Sequence, residues 1–164
     1  MTGAVQWSAS VPCVLFLGRG DAVRVLFCPY CAGMWRSLEP LFRREKKAGH
    51  DVRTMPLPYY VRDLSGECRE KKNDGPLFPA GINLVYDMDI ADWHPDRIYI
   101  HNPYDGGNRI TCVDPAYWSE KLRACTDELV YVPYYTIADG DIESALCAPG
   151  VHNADRIIVW SEAQ

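Results

Sequence analysis

The chain has 164 residues, 48% of them hydrophobic and 24% charged, enough for one domain that buries roughly 70% of its unfolded surface and cramped for two. Its net charge of −5 argues against a nucleic-acid binder, which needs a basic face to neutralise phosphates, and removes the polybasic patch that holds peripheral proteins on anionic lipid. No apolar run approaches the roughly 18 residues of a membrane span. Seven scattered cysteines, Cys13, Cys28, Cys31, Cys68, Cys112, Cys125 and Cys147, are an odd number beside mostly apolar segments, which suits a reducing cytoplasm better than a disulfide framework.

Residues 1–21 show no clear period and are expected to be an irregular N-terminal segment preceding a single domain over 22–164. Val11 to Leu17 is apolar, but no basic segment precedes it, so it does not read as a signal peptide. Val23 to Phe27 (VRVLF) is short, apolar and β-branched, a first buried strand. Ser37 is placed to cap a helix running through Gly49. In it Leu38, Leu41, Phe42 and Glu45 repeat at three-and-four spacing and face a sheet, while Arg43, Arg44, Lys46 and Lys47 suit the negative end of its dipole. Asp51 to Leu57 reads as a second strand. Pro58 to Gly81, rich in charge, Pro and Gly, is the longest candidate loop.

Ile82 to Tyr86 and Asp96 to His101 give the third and fourth strands. Asp114–Pro115 starts a helix, with a cap followed by proline at the first helical position, and Tyr117, Trp118, Leu122 and Cys125 share one of its faces. Glu128 to Val132 is the fifth strand and Asp155 to Trp160 the sixth, with a short helix over Asp141 to Leu146 between them. Strands alternating with helices predict an α/β fold: a doubly wound, mostly parallel, Rossmann-like sheet of about six strands, covered on both faces.

In such sheets ligands bind beyond the carboxyl ends of the strands. The pair Pro-Tyr recurs at four of those ends: Pro29–Tyr30, Pro58–Tyr59, Pro103–Tyr104 and Pro133–Tyr134, the last followed by Tyr135. The stretch His101-Asn102-Pro103-Tyr104-Asp105 brings an imidazole, an amide, a phenol and a carboxylate to one strand end. His and Asp suit proton transfer, and Asn and Tyr suit fixing hydroxyls or phosphate oxygens. The plainer reading is that Asn102–Pro103 merely turns the chain.

Weaker signals each have a plain alternative. Cys28-Pro29-Tyr30-Cys31 sits between a strand and a helix, where glutaredoxins place a dithiol; the alternative is a strand-end turn with two incidental thiols. Asp87-Met88-Asp89 matches the D-x-D by which some glycosyltransferases hold a divalent metal, but also an ordinary solvated loop. Gly106-Gly107-Asn108 suits phosphate approach or a bare turn. Arg19-Gly20-Asp21 is a chance integrin-type tripeptide. The four histidines lack metal-ligand spacing, and no nucleotide-binding glycine motif is present.

Several blocks together carry a resemblance: VLFCPYCAGMWRSLEPLF, PLPYY, IYIHNPYD, a Tyr/Trp-containing helix, LVYVPYY and PGVHNADRIIVWSE, in this order. Over Val23 to Glu162 the chain resembles bacterial proteins grouped with the CDP-glycerol glycerophosphotransferases of teichoic-acid-type cell-wall polymer synthesis. The resemblance implies the N-terminal, acceptor-side domain of a GT-B enzyme, in which two Rossmann-like domains face each other across a cleft. The implied reaction moves glycerol phosphate, or a related group, from a nucleotide-activated donor to a polyol- or sugar-type acceptor. It uses no metal or cofactor, in the cytoplasm at the inner membrane face, with a C-terminal domain holding the donor. Within such an enzyme the strand-end residues of this chain suggest His101 as base, Asp105 as its orienting partner, and Tyr30, Asn102, Tyr104, Tyr134 and Tyr135 as the lining of the acceptor pocket. Pro29–Tyr30, Met34–Trp35 and Ser37–Leu38–Glu39 match the family's first block, which makes the two cysteines incidental. The chain departs from the family in lacking the Trp-His-Gly segment whose histidine is held to be the base: Pro133–Tyr134–Tyr135 stands at the corresponding strand end.

Overall fold

A computed structural model describes residues 22–135 and 146–158. The short apolar stretches form a five-stranded, all-parallel sheet: β1 (Arg24–Cys28), β2 (Asp51–Thr54), β5 (Arg97–Ile100), β7 (Glu128–Tyr131) and β8 (Arg156–Ile157), in the order β2-β1-β5-β7-β8. A second, antiparallel sheet of three strands has β3 (Tyr59–Arg62) between β4 (Cys68–Lys72) and β6 (Thr111–Val113).

Successive residues of a strand point to opposite faces, so each central strand feeds two cores. Val25 and Phe27 of β1 meet Tyr99 and Val130 on one face, under Trp35, Leu38 and Phe42. Leu26, Ile98, Ile100 and Leu129 fill the other, against Ile90, Leu122, Tyr59 and Val113. The first face is covered by a 3-10 helix (Ala32–Ser37) and α1 (Glu39–Lys47). The second is covered by α2 (Ile90–Trp93), α3 (Ser119–Arg123) and the small sheet. Both faces being apolar explains why these strands read as continuous hydrophobic runs. A final short helix, α4 (Pro149–His152), lies tight on the Asn102–Pro103 turn: a Cβ on Gly150 would stand 2.8 Å from the Pro103 Cα.

Four local expectations are corrected. Pro58 to Gly81 is not one loop, since it contains β3 and β4; β4 (CREKK) is almost wholly exposed, so no buried side chain marks it. Ile82 to Tyr86 is not a full strand: Thr54 and Leu84 form a single parallel bridge, held by Thr54 N–H to Asn83 O and Val85 N–H to Thr54 O. With that segment counted, the sheet runs third-second-first-fourth-fifth-sixth in chain order, reversing direction between β1 and β5. Ser37 does not cap α1: its hydroxyl donates to the Met34 carbonyl at 3.0 Å, and Leu38 stands at the cap without a side-chain bond. Asp114 does cap, accepting from Ala116 N–H, but the helix it starts is a three-residue 3-10 turn, with α3 following at Ser119. The expected irregular segment over 1–21 and all but Leu146 of the expected helix over Asp141 to Leu146 lie outside the described residues, as does the sixth strand beyond Ile158. No helix among the described residues is long and apolar enough to cross a membrane.

Candidate functional site

Because β1, β5 and β7 are parallel neighbours, their carboxyl ends arrive on one rim. Tyr30 follows β1, His101 to Tyr104 follow β5, and Tyr134 and Tyr135 follow β7. Sheet reversal between β1 and β5 is where a ligand crevice opens in this kind of sheet. Here that crevice is filled from within.

His101 fills it. The ring is fully buried, its Nε2 accepts the Tyr30 backbone N–H at 3.2 Å, and Nδ1 lies 3.5 Å from the Ser37 hydroxyl. An accepting Nε2 places the ring proton on Nδ1. The rings of Tyr30 and Tyr134 meet the imidazole edge-on at 5.4 Å and 5.8 Å. Burial pulls its pKa down to about 3, because a charged ring has no solvent to compensate it. His101 is therefore neutral at ordinary pH and both its nitrogens face the Tyr30–Ser37 side.

Asp105 does not orient it. That carboxylate is 8% exposed and turned toward α3: Oδ1 accepts the Ser119 N–H at 2.9 Å and Oδ2 accepts the Ser119 hydroxyl at 2.7 Å. Asn153 Nδ2 in turn donates to the Ser119 oxygen at 2.8 Å. Burial raises the Asp105 pKa, and the two Ser119 bonds oppose that rise. Its backbone is left-handed, with φ of 49°, a conformation that costs an ordinary L residue about 1 kcal/mol or more. The predicted His101–Asp105 dyad is thus two separate networks.

The predicted phenols do come together. Tyr104 and Tyr135 share a hydrogen bond between their hydroxyls, the rings of Tyr134 and Tyr135 lie 4.8 Å apart, and the rings of Tyr30 and Tyr134 flank the same His101 imidazole. Burial raises the pKa of Tyr30, Tyr131 and Tyr134, so these phenols stay protonated and able to donate. Asn102 is half-buried, and its Oδ1 accepts the Tyr104 N–H at 3.2 Å. Beside this cluster opens a cleft of about 600 Å³ lined by Tyr104, Asp105, Gly106, Trp118, Glu120 and Asn153, among others. At Gly106 any Cβ would come 2.8 Å from the Trp118 ring, so only glycine lets the turn pass beneath the indole.

The other sequence signals resolve differently. Cys28 is 1% exposed and burial pushes its thiol well up, while burial and the Asp74 carboxylate push the half-buried Cys31 up as well. An activated dithiol needs the opposite, an environment that favours the thiolate. In the D-x-D, Asp89 caps α2 by accepting the Asp92 N–H, whereas Asp87 is exposed in a left-handed turn. The two carboxylates do different work.

Asp74 is the residue that sequence reasoning missed at this edge. Its carboxylate accepts the Ala32 N–H and the Tyr59 hydroxyl, each at 3.0 Å, and so occupies the turn after β1 where parallel α/β proteins commonly receive a ligand phosphate. It lies in the segment read as loop, 42 residues from Ala32, and nothing local to the sequence signals that contact. Trp118, Ser119 and Asn153 were likewise not singled out as site residues.

The rim can donate and accept hydrogen bonds to hydroxyls, but its histidine cannot take a proton near neutral pH. Comparison with protein-family models, with curated proteins and with solved structures finds no match to this chain.

Proposed function

We propose that this domain is the acceptor-side half of a transferase that moves glycerol phosphate, or a related group, from a nucleotide-activated, CDP-glycerol-like donor to a hydroxyl. What carries the proposal is the gathering of Tyr30, Asn102, Tyr104, Tyr134 and Tyr135, from three different strand ends, at one rim whose Tyr104 lines a cleft of about 600 Å³. The strand order, counting the segment bridged to β2, follows the Rossmann pattern and supports the resemblance to the GT-B N-terminal half. The turn after β1 is closed by Asp74 and by His101, which favours an acceptor rather than a nucleotide on this domain. The donor then belongs to a second, donor-binding domain.

In this scheme protonated phenols bind acceptor oxygens, and His101 positions Tyr30 rather than removing a proton. Of the residues singled out in the sequence, Asp105 is the carboxylate that borders the cleft. Its raised pKa moves it toward the range a general base needs. A second reading, a binding module of the same fold without chemistry, draws support from the neutral, enclosed state of His101.

Calorimetric titration with a short glycerol-phosphate oligomer tests the reading. Saturable binding is expected, and Tyr104→Phe together with Tyr135→Phe should weaken it about tenfold, the loss of one or two net hydrogen bonds. Absence of saturable binding would refute an acceptor site at this rim. Release of CMP from CDP-glycerol with a donor-binding domain supplied in trans separates the two readings: turnover supports the transferase, and binding without turnover the module.

A further inference from the structure

A second cleft, of about 540 Å³, opens where β2 ends, between Met55–Pro58 and the small antiparallel sheet. It shares no lining residue with the cleft beside Tyr104. Three separate chain segments supply its polar groups: Lys71 and Lys72 from β4, Asp114 and Tyr117 from the turn after β6, and Tyr86 and Asp87 from the end of the segment bridged to β2. It therefore stands on the carboxyl side of the sheet, where ligands bind in parallel α/β folds.

The chemistry of the lining is mixed in a particular way. Two ammonium groups face two carboxylates, so the cleft carries no net charge. Lys71 Nζ lies 2.8 Å from Asp114 Oδ2, and the Tyr60 hydroxyl reaches the same oxygen at 3.4 Å. Tyr117 lies near both carboxylates: burial first, then Asp114 and Asp87, push its phenol pKa up, so it remains a donor. Lys72 also meets Glu70 at 3.3 Å. An anion would meet two carboxylates here and a cation two ammoniums, while an apolar ligand would strip all of them of water.

Two features show that the walls are held rather than incidental. Asp87 is exposed and left-handed, with φ of 53°, a strained placement for an ordinary residue of the kind that gathers at ligand sites. Tyr86 lies directly on Gly75, where any Cβ would come 2.3 Å from the phenol oxygen.

We propose that this cleft binds a neutral, hydroxyl-rich ligand, a sugar or an open-chain polyol. Its hydroxyls donate to Asp87 and Asp114 and accept from Lys71, Lys72 and Tyr117. The site stands independently of any transfer chemistry at the tyrosine rim.

Amide chemical shifts of the labelled chain, titrated separately with methyl α-glucoside, glycerol and glycerol 3-phosphate, test it. Asparagine tolerates positive φ better than most residues, so Asp87→Asn removes the charged acceptor and keeps the turn. A neutral probe should shift the Lys71, Asp87 and Tyr117 amides saturably, and Asp87→Asn should weaken that binding about tenfold. The better of the two neutral probes tells a ring from an open chain. Saturable shifts with glycerol 3-phosphate alone, an unchanged affinity in Asp87→Asn, or no saturable shift with any probe would overturn the proposal. Tyr104 and Tyr135 amides in the same spectra report on the rim separately.

Discussion

At His101 a single side chain changes from a candidate base into a structural bridge. Sequence places an imidazole at a strand end and cannot show that its partner is the Tyr30 amide, 71 residues away. Nor does sequence show that the ring is fully buried. Those two facts decide its chemistry. Its folded pKa of about 3 lies below its ordinary 6.5, so between those values only the unfolded chain takes up the proton. Stability from this group is complete above about pH 6.5 and is lost as pH falls toward 3, at about 1.4 kcal/mol per pH unit. Urea unfolding of the wild type and His101→Gln at about pH 6 and about pH 4 isolates that slope, since the acidic groups are common to both. The wild type should lose more stability than the variant by about 2 kcal/mol over the interval. Equal losses would mean that the ring is not held neutral.

The strands buried on both faces, β1, β5 and β7, were legible, and the exposed β4 was not. VRVLF announces β1 because every residue from Val25 to Cys28 is buried. CREKK conceals β4 because none of its side chains is buried, and its charged side chains suit an exposed edge. The partners of β3 both follow it in sequence, β4 nearby and β6 about fifty residues on, and no periodicity encodes that pairing. The α1 stripe was legible down to its odd member: Glu45 sits on the sheet-facing side and is 5% exposed. There it accepts from Arg97 Nη1 at 3.2 Å and from the Tyr99 hydroxyl at 2.7 Å, tying α1 to β5. Arg97 continues to Glu128, which also holds Arg156 of β8. Glu128 still pairs with Arg97 when Glu45 is removed, but Arg97 Nη1 and the buried Tyr99 hydroxyl both lose their acceptor, so Glu45→Ala should destabilise the domain by about 2–3 kcal/mol. Chemical denaturation measures this directly, and a loss below about 1 kcal/mol would show that water or Glu128 alone compensates Arg97.

Across the whole molecule, the parallel sheet turns a linear pattern into a site. Four Pro-Tyr pairs are scattered over about a hundred residues, yet Tyr30, Tyr104 and Tyr134 meet at one rim because β1, β5 and β7 run side by side in one direction. The tyrosines were legible as a group for that reason. The separation of His101 from Asp105 was not, because it depends on α3 presenting Ser119 to the carboxylate. The enclosed histidine among the tyrosines is the most direct check on this arrangement, and nuclear Overhauser spectroscopy with histidine- and tyrosine-labelled protein reads it. Cross-peaks are expected from the His101 ring to the rings of Tyr30 and Tyr134, with the ring proton on Nδ1 and no titration near neutral pH. A His101 ring that titrates near its ordinary 6.5 and gives no cross-peak to either tyrosine would contradict the gathered rim.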